Sequence, residues 1–355
     1  MTTAPRLVSL DAFRGFTMVW LLGGKNFVVA LAMAGGLEFV RYQFAHSEWE
    51  GLRYYDLIWP SFMLMVGMAI PFSFAQRTRT QTRGEFRRGV WRRALVLFLL
   101  GSLRESLSKG EPVLVELSSA LQPIALAYLV TSYLAGRSVR LQVGAAATIL
   151  AGYALLLAFV PAPGIIAGTY EPNRNLVTYV DQLVLGRAHR DGWGTVLSAF
   201  PTIANTIVGL LLGQILMSER TAGRKMKIIG GTGIGCLVAG WALSAVVPVI
   251  MKLWTSSYAL LSIGWACLLF LGFYWLTDVR QSRTWVFPLI VIGVNALAAY
   301  LLPTIIPISK IVGTFTKPVA PNLGAFGPVL MTGSVLLVGW LILYWLYRRN
   351  IFLRP

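Results

Sequence analysis

The sequence predicts an all-α polytopic membrane protein: about ten transmembrane helices in one bundle, with both termini cytoplasmic. Three observations lead there. Of the 355 residues, 56% are hydrophobic and only 13% are charged, with a mean hydropathy of +0.67, whereas a soluble chain carries about 25% charged residues. Many apolar runs exceed the roughly 17 residues that a spanning helix needs. The 31 lysines and arginines fall between those runs, so the net charge of +17 marks topology and argues against a nucleic-acid partner.

Residues 1–12 read as a short leader in which Ser9 or Asp11 can cap the helix that follows. The first span covers about 13–34 and is retained, because Asp11 and Arg14 interrupt it and no small-residue cleavage site follows. Lys25 and Asn26 break its apolar face, and a lysine at that depth should face protein or water. A polar loop precedes the second span, about 55–75, which opens with Asp56 and Pro60 near its first turns. Further spans fall at about 90–107, 118–135, 141–160, 197–217, 228–250, 256–277, 285–306 and 326–347. The longest outer segment, about 161–196, contains PAPG and His189 and should hold one short helix around 176–186. No internal repeat or soluble domain is visible, so residues 1–355 read as a single membrane domain.

Charge supports this count. The run from 77 to 93 holds seven arginines against Glu85 and fixes the cytoplasmic side. Inner segments, with Arg6 and Arg354 among them, then carry 20 basic residues, and outer segments, with Arg190 among them, carry 10; Lys25 completes the 31.

Chemistry concentrates in residues 44–72, FAHSEWEGLRYYDLIWPSFMLMVGMAIPF, at the outer mouth of the second span. Histidine is the side chain whose ordinary pKa, about 6.5, suits proton transfer near neutrality. His46 is therefore the candidate catalytic residue, with Asp56, Glu48 and Glu50 as groups to orient or tune it. The bland alternative is an ordinary outer loop with a helix cap. Arg88, Arg92 and Arg93 share one helical face entering the third span and suit the phosphates of a cytoplasmic ligand; their alternative is topology and anionic lipid. Gln122, Asn205, Asn295 and Tyr300 lie within spans, where polar groups either glue helices or line a site. Cys236 and Cys267 read as packed thiols, and the two distant histidines form no metal-ligand cluster, so no metal is expected. No phosphate-binding loop or nucleophile elbow is present.

The opening RLVSLDAFRGF, followed by HSEWEGLRYYDLIWPSFMLMVG, resembles the membrane acyltransferases related to heparan-α-glucosaminide N-acetyltransferase, including their bacterial NagX-like members. The similarity continues in order through SSALQPIALAY, TYVDQLVLG, PTIANTIVGLLLG, KLWTSSYALLS, FPLIVIGVNALAAYLL and YRRNIF. The resemblance implies an inner-membrane enzyme, usually dimeric, that moves an acetyl group from cytoplasmic acetyl-CoA to an amino sugar or glycan on the far side. It maps the family's active-site histidine to His46, either as general base or as acyl carrier. Asp56 would hold the imidazole or the amine; Arg88, Arg92 and Arg93 would hold the coenzyme A phosphates. Gln122, Asn205, Asn295 and Tyr300 would line the pantetheine path, while Arg14 with Asp11 would serve the donor side or lock helices by pairing. A transporter for an amino sugar is the alternative. The chain departs from the family at Lys25 and Asn26, where an asparagine is usual, at Thr17 for an aspartate, at Pro123 for an arginine, and at Gly293–Ala296, where GMNS becomes GVNA; Pro303 and Thr304 replace a late histidine. These departures bear on the acceptor.

Overall fold

Four helices begin at a polar side-chain cap, and two of them end at a left-handed glycine. Thr82, Ser138, Asn175 and Thr221 each accept a backbone N–H from three residues on, satisfying donors that a helix start leaves open. Gly110 and Gly186, at φ 72° and 68°, end two of these helices. The computed structural model describes residues 7–117, 119–189 and 191–353. Arg6, Arg190 and Arg354 of the charge balance, the first half of the leader and Ser118 of SSALQPIALAY lie outside these residues.

In chain order the elements are α1 (Val8–Val19), α2 (Lys25–Ala34), α3 (Glu38–Gln43), α4 (Ile58–Thr80), α5 (Arg83–Lys109), α6 (Leu121–Leu134), α7 (Val139–Phe159), the strands β1 (Tyr170–Glu171) and β2 (Arg174–Asn175), and α8 (Leu176–Leu185). There follow α9 (Ala199–Met217), α10 (Ala222–Ser244), α11 (Ser256–Tyr274), α12 (Phe287–Val294), α13 (Ala296–Ile305), α14 (Ile308–Thr316) and α15 (Gly327–Arg348). The protein is all-α apart from the antiparallel β1–β2 hairpin, and the expected short helix at 176–186 is α8.

Seven helices are long and apolar enough to cross a membrane, or eight if the pair α12 and α13, bent by 76° at Asn295, counts as one broken span. The chain is a multi-pass membrane protein on this ground. The sequence-based spans at 90–107 and 118–135 are not among the eight. They correspond to α5, which carries Arg92, Arg93, Arg104 and Glu105, and to α6, which has only 14 residues; the two pack along one another.

The described chain falls into two compact units. The larger comprises Ser47–Leu52 and Trp59–Leu271. Its helices α4 and α9 cross in backbone contact: a methyl group on Gly67 would overlap the Thr206 carbonyl oxygen, and one on Gly209 would overlap that of Leu64. At this crossing Ile70 and Leu210 join Val90, Ala94 and Tyr128 in one buried cluster, and Tyr153, Leu157, Val177, Ile250 and Leu253 form a second. Small residues at helix crossings are what close packing in lipid requires, since apolar side chains gain nothing by leaving it.

The smaller unit comprises residues 7–46, Arg53–Ile58 and 272–353. It too is built on a glycine crossing, α1 against α12. A methyl on Gly15 would overlap the Leu289 oxygen, and one on Gly293 would overlap that of Asp11. The α1 cap differs from the sequence reading. Ser9 and Asp11 lie inside the helix and do not cap it. Asp278, far along the chain, accepts the N–H groups of Val8 and Ser9 at 3.2 and 3.0 Å. A carboxylate at a helix N-terminus also meets the positive end of the helix dipole, so the start of α1 is fixed by tertiary contact and not by local sequence.

Candidate functional site

His46 lies in the smaller unit, and the residues that hold it come from three nearby segments. The first is a π-helical turn, Trp20–Gly24, between α1 and α2, in which Gly23 adopts φ 135°; such insertions frequently mark functional positions. The second is the chain leaving α3, and the third is the short helical turn Tyr54–Leu57 that precedes α4. Aromatic rings join them: Trp20 packs edge-on to Phe44 and Tyr54 at 5.0 and 5.8 Å, and Phe44 meets Tyr54 at 5.0 Å. Gln43 adds a bond from its Oε1 to the Tyr54 N–H at 2.9 Å.

Within this frame His46 Nδ1 lies 2.8 Å from Asp56 Oδ1. The Asp56 side chain is fully buried, while that of His46 is 39% exposed. Asp56 is fixed in turn, because its Oδ2 accepts the Arg53 N–H at 2.9 Å. Arg53 closes the loop: its Nη1 donates to the His46 carbonyl oxygen at 2.8 Å, and its guanidinium covers the Tyr42 ring at 4.0 Å. A carboxylate only accepts hydrogen bonds, so the imidazole proton sits on Nδ1 and Nε2 is the basic nitrogen. The arrangement, an imidazole held through Nδ1 by a buried acid, is one that suits a general base.

Lys25 and Tyr55 complete the surroundings. Tyr55 packs edge-on to the imidazole at 4.7 Å, and the Lys25 ammonium sits 4.1 Å from the centroid of the same ring. A cation–π contact contributes about 0.5–2 kcal/mol, less than the roughly 2.5–3.5 kcal/mol that a lysine costs at mid-membrane. The ring contact therefore offsets only part of the cost of placing Lys25 in the first span.

The remaining sequence candidates are dispersed. Glu48 and Glu50 belong to the larger unit and are exposed, and the Glu50 backbone pairs with Ile250. Arg14 lies 3.6 Å from Asp11, an i,i+3 contact within α1 itself. Arg88 and Arg92 are exposed on α5, whereas Arg93 turns to α6 and covers the Tyr128 ring at 4.9 Å. Gln122 is buried and its amide is consumed locally: Nε2 donates to Ser102 Oγ and Leu114 O at 3.0 and 2.8 Å, and Oε1 accepts the Glu116 N–H at 2.7 Å. Asn295, at the α12–α13 break, holds the end of the described chain, donating to Ile351 O at 2.9 Å and accepting from Leu353 N at 3.1 Å. Both amides serve as structural ties. Asn205 is buried on α9, where its Oδ1 lies 3.5 Å from the Trp254 indole nitrogen, which donates to it, and Tyr300 lies half-buried on α13.

Sequence reasoning missed two groups. Arg53 and Tyr55 brace the His46–Asp56 pair, and the one sequence signal for them was the three-residue spacing from Arg53 to Asp56 across a helix start. Glu116, a polar residue the sequence also marks, takes partners that sequence reasoning missed: in the larger unit its buried carboxylate receives both Lys109 and Arg187. Nearby in sequence to Arg187, Asp181 accepts the N–H groups of Thr195 and Val196, each at 2.9 Å, and burial nevertheless pushes its carboxyl above the usual range. Among the described residues no group of three or more His, Cys, Asp or Glu side chains forms a metal site.

Fold and site together define a helical multi-pass membrane protein with a braced histidine–aspartate pair. Searches with the chain against family models and against curated proteins return no match.

Proposed function

We propose that the protein is a transmembrane acyltransferase that takes an acetyl group from cytoplasmic acetyl-CoA and delivers it to the amine of an extracytoplasmic amino sugar or glycan. The observation that carries the reading is the 2.8 Å contact between His46 Nδ1 and the buried Asp56, which makes Nε2 a base. As the amine attacks the thioester carbon, Nε2 accepts its proton; the C–N bond forms, the C–S bond breaks, and the departing thiolate takes that proton from the imidazolium. In the covalent version Nε2 attacks first, coenzyme A leaves, and the amine then displaces the imidazole. On this reading Arg88, Arg92 and Arg93 hold the donor's phosphates.

The same reading places the chain in a bacterial inner membrane as a homodimer in contact with lipid, with ten spans and cytoplasmic termini. Helices α5 and α6 would be the third and fourth spans, with the α5 charges tolerated because they lie near its ends or against α6. A second reading, a transporter of an amino sugar, is favoured by one feature: one candidate span is broken at Asn295 and another carries a kink at Gly23, and broken helices form transporter sites. The Asn295 amide, however, is already held by Ile351 and Leu353.

Proteoliposomes separate the two readings. With acetyl-CoA on one side and glucosamine on the other, acyl transfer yields N-acetylglucosamine that is lost in His46→Ala. Unmodified glucosamine crossing the bilayer, with no acetylated product, would overturn the enzyme reading and establish transport.

A further inference from the structure

A cleft between the carboxyl ends of α4, α6 and α9, all in the larger unit, has no task in the acyl-transfer chemistry. Its volume is about 310 Å³, and Pro71, Phe74, Ala135, Leu210, Gln214 and Met217 are among the residues that line it. Gly136, at φ 80°, leaves room for the Phe74 ring, which a methyl there would press at 2.8 Å. Water is a poor occupant, because it needs several polar partners. Only Gln214 and Ser218 supply polar side chains to the lining, and the Ser218 hydroxyl is donated to Ile215 O at 2.7 Å. In a membrane-spanning chain the apolar filler for such a space is a lipid tail, which is as apolar as leucine.

The same end of the unit is basic. Arg77 and Arg79 lie in the last turn of α4, Arg137 follows the cleft residue Gly136, Arg140 opens α7, Arg220 follows α9, and Lys225 lies near the start of α10. Arg79, Arg137, Arg140 and Arg220 are exposed. The acids in these stretches are Glu85, which Thr82 holds at the start of α5, and Glu219. Three helix carboxyl ends would by themselves repel an anion. Lys225 answers one of them, its Nζ donating to Leu216 O at 2.8 Å, and the exposed arginines remain for a ligand.

We infer that this cleft is a binding site for an anionic phospholipid, with an acyl chain against Pro71, Phe74 and Leu210 and the phosphate at Arg137 and Arg220. Basic pockets between membrane helices hold acidic headgroups. Arg137 and Arg220 stand one and two residues beyond the cleft residues Gly136 and Ser218, and arginine meets a phosphate through paired N–H donors. The apolar lining supplies contacts that a free phosphate would leave unused. The inference is independent of the acyl-transfer reading, since His46 and Asp56 belong to the smaller unit.

The test is native mass spectrometry of the detergent-purified full chain, titrated with phosphatidylglycerol or with phosphatidylcholine of the same acyl chains. Wild-type protein should retain phosphatidylglycerol about 10-fold or more tighter than phosphatidylcholine, a ratio corresponding to about 1.4 kcal/mol. Arg137→Gln with Arg220→Gln should abolish that preference, whereas removing two exposed cations elsewhere, Arg174→Gln with Lys310→Gln, should leave it. Ala75→Phe, which fills the cleft from α4, should lose the bound lipid of either kind. Should Ala75→Phe fail to fold, a phosphatidylglycerol with a photoreactive group on its acyl chain must label Gln214 or Met217 in the wild-type protein. Equal retention of the two lipids, a preference unchanged in the Arg137 and Arg220 variant, or labelling confined to other helices would overturn the inference. Displacement of the lipid by inorganic phosphate would reduce the cleft to an anion site, and displacement by acetyl-CoA would make it a donor site; either result also overturns it. Acetyl transfer is scored separately by product mass, so that lipid selectivity without product removes the transferase and leaves the lipid site, and product without lipid selectivity does the reverse.

Discussion

Asp56 and Glu116 are both buried carboxylates beside basic partners, one in each unit, yet their surroundings differ in what they leave reactive. Glu116 receives Lys109 and Arg187, and the loop around it is tied by Gln122, whose amide makes three hydrogen bonds. Those partners carry fixed charge and hold chain segments together. Asp56 receives a histidine whose side chain is 39% exposed. Buried charge marks an organising point in both units. What differs is the partner's chemistry, an imidazole at one carboxylate and a lysine with an arginine at the other.

The contrast can be broken in order of expected effect. His46→Ala should lower acetyl transfer per folded molecule by ~10²–10⁴-fold and cost about 1–3 kcal/mol of stability by stranding the buried Asp56 oxygen, as measured by product mass and by melting of the purified protein. Asp56→Asn should approach the same loss, ~10²-fold or more, because an amide can donate to Nδ1 and reverse the tautomer; a pH–rate profile against wild type checks it. Gly293→Val should destabilise the α1–α12 crossing by about 1–3 kcal/mol or more, since an added side chain would displace backbone, and Gly67→Val should do the same for α4–α9. Gln122→Leu should cost about 1–3 kcal/mol by stranding its buried partners, with turnover per folded molecule preserved.

The smallest effect sharpens the comparison through pH. Burial raises the Asp181 carboxyl above its ordinary value of 3.8. A raised acid contributes its stability in full below the unfolded value and loses it as pH rises through the folded one. Wild-type stability should therefore decline through that window on going from acid toward neutral pH, and Asp181→Asn should flatten the slope, as read from melting temperatures over a pH series.

The helical class, most spans and the short helix at 176–186 were legible because apolar run length and Pro, Gly and Asn punctuation are local properties. The α1 cap was not legible, because Asp278 reaches it from about 270 positions away. Composition counted α5 and α6 as ordinary spans; their charges and short length set them apart. At the site, His46 and Asp56 were readable as chemistry from residue type, and the structure adds the tautomer and the Arg53 and Tyr55 braces. Gln122 and Asn295 looked like site residues because polarity inside a span has two causes, and only their hydrogen-bond partners reveal the structural one.

The most direct measurement assays His46→Ala and Gln122→Leu side by side, each for acetyl transfer to an amino sugar and for thermal stability. The expected result separates the two: the histidine variant loses transfer per folded molecule, and the glutamine variant loses melting temperature and keeps transfer per folded molecule. Transfer undiminished in His46→Ala would contradict the account, because the braced His46–Asp56 pair would then have no part in the chemistry.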